Sequence, residues 1–209
     1  MKLVLISDTH EKHNALSVPD GDVLVHAGDL TYRGDFDAVL EATQWLRKLP
    51  HKHKVVIAGN HDFLFEKKPA SARSLMDGIH YLENESIVID GVKFYGSPVQ
   101  PWFYDWAFNV QRGEAIRKYW DMMPEDTDVL ITHGPPKGFQ DQSVPHKNTE
   151  HLGCYDLLEA VLRIKPKIHV FGHIHGGYGY QRFEGTQFYN ASVVNEAYKL
   201  TNDPFVVEI

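Results

Sequence analysis

Five short apolar runs recur along the chain, and each stops at a polar cluster. Leu3-Val4-Leu5-Ile6 leads into Ser7-Asp8-Thr9-His10, and Val23-Leu24-Val25 leads into His26-Ala27-Gly28-Asp29. Val55-Val56-Ile57-Ala58 leads into Gly59-Asn60-His61-Asp62, Val129-Leu130-Ile131 into Thr132-His133-Gly134, and Ile168-His169-Val170-Phe171 into Gly172-His173-Ile174-His175. Each run has the length and the β-branched content of a buried strand. Helical spacing lies between some of them. Phe36, Val39, Leu40, Thr43 and Leu46 share one face behind the cap residue Asp35. A second helical pattern covers about Gly113 to Met122. A third has Leu157, Leu158, Val161 and Ile164 on one face and is closed by Pro166. Strands alternating with helices predict βαβ units.

Two hairpins interrupt the alternation. Asp90-Gly91 separates Ile87–Ile89 from Val92–Tyr95, a two-residue turn signal. Glu184-Gly185-Thr186 separates Tyr178–Phe183 from Gln187–Asn190, and Phe205–Glu208 reads as a final strand. The longest irregular stretch, Gly134 to Leu152, is long enough to be a functional loop.

Composition narrows the partners. The 209 residues suit one domain with a sizeable core, so 1–209 is taken as a single unit. The formal charge of -7, from 21 Lys+Arg against 28 Asp+Glu, argues against a grip on long nucleic acid but admits a small phosphorylated substrate. Cys154 stands alone, which excludes an internal disulfide and fits a reducing cytoplasm. The first apolar run is too short for a signal-peptide core, and no later run approaches a membrane span. The 13 histidines are dispersed, so their local contexts decide their meaning.

Those contexts point to metal chemistry. Ligands collect beyond the carboxyl ends of strands in α/β sheets. Asp-Thr-His alone reads as a helix cap, and Gly-Asn-His-Asp alone as a turn. Five such endings, each directly after an apolar run, are hard to assign to turns. Carboxylate and amide oxygens with imidazole nitrogens suit Mn above all, with Fe, Zn, Co or Ni admissible. The lack of thiolates disfavours a structural zinc site. Two dications bridged by a carboxylate can activate a water and neutralise a phosphoryl group.

The ordered set resembles the five blocks of the calcineurin-like metallophosphoesterases: Asp8-x-His10, Gly28-Asp29, Gly59-Asn60-His61-Asp62, Thr132-His133 and Gly172-His173-x-His175. The resemblance spans about Leu3 to His175. It implies an α/β fold, a four-layer α/β/β/α sandwich with two mixed sheets. It also implies two divalent metal ions, one held by Asp8, His10 and His175 and the other by Asn60, His133 and His173, with Asp29 bridging. His61 would be the nearby acid that binds neither. Further segments resemble the animal metallophosphoesterase-domain-containing (fetal-brain-type) phosphodiesterases, which stand beside the class III cyclic-nucleotide phosphodiesterases. They include Phe94-Tyr95-Gly96-Ser97-Pro98, Gln100-Pro101-Trp102-Phe103, Asp105-Trp106-Ala107-Phe108-Asn109, His133-Gly134-Pro135-Pro136 and Asn190-Ala191-Ser192.

Other conspicuous residues have plainer readings beside the functional ones. His13 is an exposed loop residue or reaches the pocket. His26 and His169 sit inside strands and read as satisfied core histidines. His51, His53 and His80 read as surface residues, and His146 and His151, in the long loop, could meet substrate. Trp102, Phe103, Tyr104, Trp106 and Phe108 form a base-binding wall, a packed loop or a homodimer contact. Arg33 is a phosphate fork or an ordinary surface arginine. Cys154 packs as a small apolar group at a helix start.

The expected activity is a dinuclear phosphodiesterase for small phosphodiesters, foremost 2′,3′- or 3′,5′-cyclic nucleotides. The diester preference comes from the resemblance. The rivals are a phosphomonoesterase and a metal-binding scaffold with vestigial activity. A nuclease is disfavoured by the charge.

Overall fold

The computed structural model describes residues 1–143 and 150–209. In chain order the strands are β1 (Lys2–Ile6), β2 (Val23–His26), β3 (His53–Val56), β4 (His80–Tyr81), β5 (Glu85–Ile89), β6 (Val92–Ser97) and β7 (Gln100–Pro101). They continue with β8 (Asn109–Val110), β9 (Val129–Thr132), β10 (Ile168–Phe171), β11 (Gly179–Phe183), β12 (Thr186–Asn190) and β13 (Phe205–Glu208). The helices are α1 (Phe36–Lys48), α2 (Phe63–Lys67), α3 (Pro69–Leu75), α4 (Glu114–Trp120) and α5 (Tyr155–Ile164).

Two mixed sheets result. One runs β13-β1-β2-β3-β4 and the other β11-β12-β10-β9-β6-β5. Strands β1 to β4 are mutually parallel, with β13 antiparallel at the edge. In the second sheet β12, β10, β9 and β6 are parallel, and the hairpin partners β11 and β5 are antiparallel. Alternate residues of each central strand serve two different cores, as a strand buried on both faces must. Leu3, Leu5, Val23, Val25, Val129 and Val170 pack between the sheets. Val4, Ile6 and Leu24 face Val39, Leu46 and Phe65 of α1 and α2. Leu130 and Phe171 face Ile116, Leu157 and Val161 of α4 and α5. The layer order is therefore helix, sheet, sheet, helix, as expected.

Local signals explain the boundaries. The Asp35 carboxylate accepts from Ala38 N at 2.9 Å and starts α1. Cys154 is buried and caps α5, its Sγ accepting from Leu157 N at 3.4 Å. Lys165 ends α5 in the left-handed region, with φ 54°. The second hairpin turns on Glu184-Gly185 alone, because Thr186 already pairs with Phe183. Helices α2 and α3, and the short strands β4, β7 and β8, carry too little periodicity to be predicted. None of the described helices is long and apolar enough to cross a membrane.

Candidate metal centre

The carboxyl ends of β1, β2, β3, β9 and β10 converge where the two sheets meet. Ser7 N donates to Ala191 O at 2.8 Å and Val193 N donates to Ser7 O at 3.0 Å, joining the sheets beside the first block. The strands end in sharp turns that reverse the side chains toward one point. Asp8, His10, Asp29 and His173 all hold positive φ, at 57°, 40°, 55° and 65°. Non-glycine residues adopt that region at a cost that the surroundings must offset, and such residues cluster at functional sites. Gly59 and Gly172 allow close approaches to the two aspartates. A Cβ at Gly59 would lie 2.3 Å from Asp29 Oδ1, and one at Gly172 would lie 2.0 Å from Asp8 Oδ2.

The convergence brings potential ligand atoms within 4.8 Å of one another in three groups: Asp8, His10 and His175; Asp29, His133 and His173; and His10, Asp29 and His61. Asp29 Oδ2 lies 3.6 Å from His10 Nε2 and 3.3 Å from His133 Nε2, between the first two groups. Its Oδ1 accepts from His61 N at 2.8 Å, which fixes the carboxylate plane. Both Asp8 oxygens lie 3.1 Å from the His173 N–H. Asn60 Oδ1 is 2.8 Å from both His133 Nε2 and His173 Nδ1.

Backbone carbonyls orient the rings. His10 Nδ1 is 3.1 Å from Thr31 O, His133 Nδ1 is 3.0 Å from Ala27 O, and His61 Nδ1 is 2.8 Å from Tyr32 O. A carbonyl only accepts, so each Nδ1 carries a proton, and Nε2 is the nitrogen that can ligate once it is free of its own. His10 Nε2 then faces His175 Nε2 at 3.4 Å, and His133 Nε2 faces the Asn60 carbonyl oxygen. Lone pairs and carboxylates aimed at one another in a buried place fit a cation. The oxygen and nitrogen donors, without thiolate, fit the divalent ions that the sequence suggests.

The electrostatics agree. Burial pushes His10 down to about 4, with Asp29 and Asp8 opposing, and burial pushes His173 down to about 3. Both rings are thus neutral, the form that can ligate. Burial disfavours ionised Asp8 and Asp29, yet the His175 and His133 rings hold their carboxyls below the usual range. Burial likewise opposes a charged His133, but the Asp29 carboxylate outweighs it and raises the ring to about 9. That proton is the one a bound cation must displace.

Asp62 locks the turns without entering the site. Its buried carboxylate accepts from Leu30 N, Thr31 N, Thr31 Oγ1 and Gly59 N at 3.2, 2.9, 2.7 and 2.8 Å. Burial and then Asp29 push it up to about 6, against those hydrogen bonds.

A pocket of about 280 Å³ opens on this cluster, and Asp29, Asn60, His61, His173 and His175 line its floor. Trp102 and Phe103 also line it, 51% and 55% exposed. Trp106 also lines it and packs on His61 with ring centroids 4.2 Å apart. Tyr198 lies 5.0 Å from His175 and 4.9 Å from His10, centroid to centroid. Tyr198, Glu196 and Arg112 are lining residues that the sequence did not single out.

Arg33 is exposed and does not line the pocket, because its loop runs past Tyr32 into solvent. Arg112 stands at the pocket instead, donating to Gly153 O at 3.0 Å and Leu152 O at 2.9 Å. His13 is neither exposed nor in the pocket; it is buried against Trp45 at 5.1 Å. His26 is a satisfied core residue, 3.0 Å from Thr9 Oγ1. His169 is half satisfied, with Nε2 2.9 Å from Thr132 Oγ1 and a buried, unpartnered Nδ1. His51 is buried rather than superficial, and His53 and His80 are half-buried and pair at 3.3 Å. His151 binds Asp141 at 2.6 Å and lies outside the pocket lining. His146 lies outside the described residues.

The chain is similar to known proteins. Metallophosphoesterase domain-containing protein 1 of Homo sapiens is 40% identical over 232 aligned residues, covering 100% of this chain and 71% of that protein. A UPF0046 protein of Caenorhabditis elegans is 38% identical over 223 residues, covering 100% of this chain and 75% of that protein. The solved structure of TT1561 from Thermus thermophilus matches with a TM-score of 0.61 at 12% identity, covering 90% of this chain and 88% of that one, which is a likeness of fold. The family model described as calcineurin-like phosphoesterase matches residues 1–177, a family that uses divalent metals. The chain belongs to the calcineurin-like phosphoesterase family and is a phosphoric ester hydrolase.

Proposed function

We propose that the chain is a dinuclear, metal-dependent phosphodiesterase that opens small phosphodiesters, foremost 2′,3′-cyclic nucleotides, and that residues 1–209 act as one domain. The observation that carries the reading is Asp29 Oδ2, set between His10 Nε2 and His133 Nε2 with a separate donor group on each side. Asp8, His10 and His175 would hold one ion, and Asn60, His133 and His173 the other, with Asp29 shared. Two divalent ions there, manganese foremost, would supply an acidified water and positive charge opposite the phosphoryl oxygens.

The chain's own groups do the rest. His61 is held by the Tyr32 carbonyl at Nδ1 and by Trp106 against its face, so that in its doubly protonated form Nε2 is the nitrogen that would give a proton to the departing oxygen. An alkoxide leaving group needs that proton, and a nitrophenolate hardly does. Trp102 and Phe103 offer flat apolar surface to a base and exclude water from the pocket. The aromatic wall suits a substrate with an organic group beside its phosphate, and the preference for a diester over a monoester rests on the resemblance to the phosphodiesterases. The lone, buried Cys154 suits a reducing compartment, the cytoplasm.

The test is elemental analysis under saturating Mn, followed by hydrolysis of bis(p-nitrophenyl) phosphate, p-nitrophenyl phosphate and a panel of cyclic nucleotides with product chromatography. Two ions per chain and monophosphate products from the cyclic substrates are expected. One ion or none, or monoester turnover with no action on any diester, overturns the reading.

A further inference from the structure

Two charged side chains, Arg112 and Glu196, stand in the described pocket lining outside the proposed metal ligands. Among the described lining residues Arg112 is the only Lys or Arg, and both of its terminal nitrogens already donate to the Leu152 and Gly153 carbonyls. These two bonds tether the guanidinium to the Leu152–Gly153 backbone. Glu196 stands in the same lining near Tyr198. Its Oε1 accepts from Gly176 N at 3.2 Å and from Ser143 Oγ at 2.7 Å, which anchors the carboxylate at the wall. Pro101, Trp102 and Phe103 give the same pocket an apolar part.

We propose that Glu196 is a specificity-determining residue. It selects phosphodiesters whose only negative charge is on the reacting phosphoryl group, with a neutral or cationic remainder against the aromatic wall, and it turns away substrates that carry a further phosphate or carboxylate. This rests on the diesterase reading above and deepens it. A fixed carboxylate repels a second anion within the pocket and attracts a cation, and the aromatic faces favour the same cation. The chain's net charge of -7 adds to the bias.

The test uses three diesters with one departing group. Each is a p-nitrophenyl aryl phosphate whose second ring carries hydrogen, carboxylate or trimethylammonium at the para position. Water adds to phosphorus, the bond to the nitrophenyl oxygen breaks, and p-nitrophenolate leaves in every case. The wild type is expected to rank them trimethylammonium, hydrogen, carboxylate, with steps of about 3- to 10-fold in kcat/KM at low ionic strength. Glu196→Gln keeps an acceptor for Gly176 and Ser143 and removes only the charge. It should compress the ranking, read as ratios to the unsubstituted diester, and about 0.5 M salt should compress the wild-type ranking.

A flat wild-type ranking, or one that Glu196→Gln leaves intact, overturns the proposal; a uniform loss on all three substrates marks Glu196 as merely structural and also overturns it. Binding of the matching non-hydrolysable aryl phosphonates, read by tryptophan fluorescence, gives the same ranking without turnover. The ranking in binding with no hydrolysis of any diester would sink the diesterase reading alone.

Discussion

Replacing Gly172 by alanine adds one carbon at the most crowded point of the centre. The new Cβ would lie 2.0 Å from Asp8 Oδ2 and 2.3 Å from Ser7 Oγ. Nonbonded heavy atoms settle at roughly 3.5 Å, so the shortfall is more than about 1 Å. Backbone strain is not the cause, because Gly172 does not hold the positive φ that would itself disfavour alanine. Asp8 has little room to yield, since both of its oxygens face the His173 N–H at 3.1 Å. Either Asp8 swings away or the Gly172–His175 segment backs off, and each route moves proposed ligands by roughly 1 Å. Overpacking of this kind costs about 1–3 kcal/mol, which in a domain of this size lowers Tm by roughly 2–4 °C per kcal/mol. Misplacement by ~1 Å costs on the order of 100-fold in rate. The variant should therefore melt cooperatively at a somewhat lower temperature, bind Mn more weakly, and lose about two orders of magnitude in kcat/KM on bis(p-nitrophenyl) phosphate. Full metal content with activity within about 3-fold of wild type would refute the steric argument.

Three further outcomes follow from the same geometry. Asp29→Asn should weaken both metal sites in a Mn titration, whereas His10→Ala should weaken mainly the one shared with Asp8 and His175; equal effects from the two variants would remove Asp29 as the bridge. His61→Ala should slow a 2′,3′-cyclic nucleotide by about 100-fold or more and an aryl diester much less, with metal content retained. Equal losses on both substrates would remove the proton-donor role. His169 is pushed by burial down to about 3, so below about 6.5 the unfolded chain takes up a proton that the folded chain refuses. Stability present above that pH is thus lost between about 6.5 and 3, by up to about 1.4 kcal/mol per pH unit for this ring. His169→Leu should flatten that limb in urea titrations run in chelator, and an unchanged slope would sink the assignment.

The parts of the fold that show in the sequence are those whose signal is local. A strand buried on both faces writes a continuous apolar run, and β1, β2, β9 and β10 follow theirs almost residue for residue. Helix α1 shows because Asp35 caps an amphipathic repeat, and α5 because Pro166 closes one. Helices α2 and α3 are short, and their apolar residues are set by the sheet they cover rather than by a repeat of their own. The paired strands β7 and β8 are two residues each, fixed by a ladder between loops that no local pattern reports.

The centre is legible for a similar reason, and its surroundings are not. Each proposed ligand follows a strand directly, so its position in space is inherited from a run that the sequence already shows. The pocket walls have no such tether. Trp102 and Phe103 stand out by density alone, but Glu196 and Tyr198 come from a segment about 90 residues further on, and nothing in their neighbours marks them. The two arginines make the limit plain. Arg33 lies four residues from Asp29, which makes it the natural candidate for a phosphate contact, yet its loop carries it into solvent. Arg112 has no metal block near it in the sequence, and it is held at the pocket because the Leu152 and Gly153 carbonyls are folded against it. The two side chains are chemically identical, so only the packing of distant loops distinguishes them. A residue whose role depends on where two loops meet carries no local mark of that role, whereas a ligand at the end of a buried strand does.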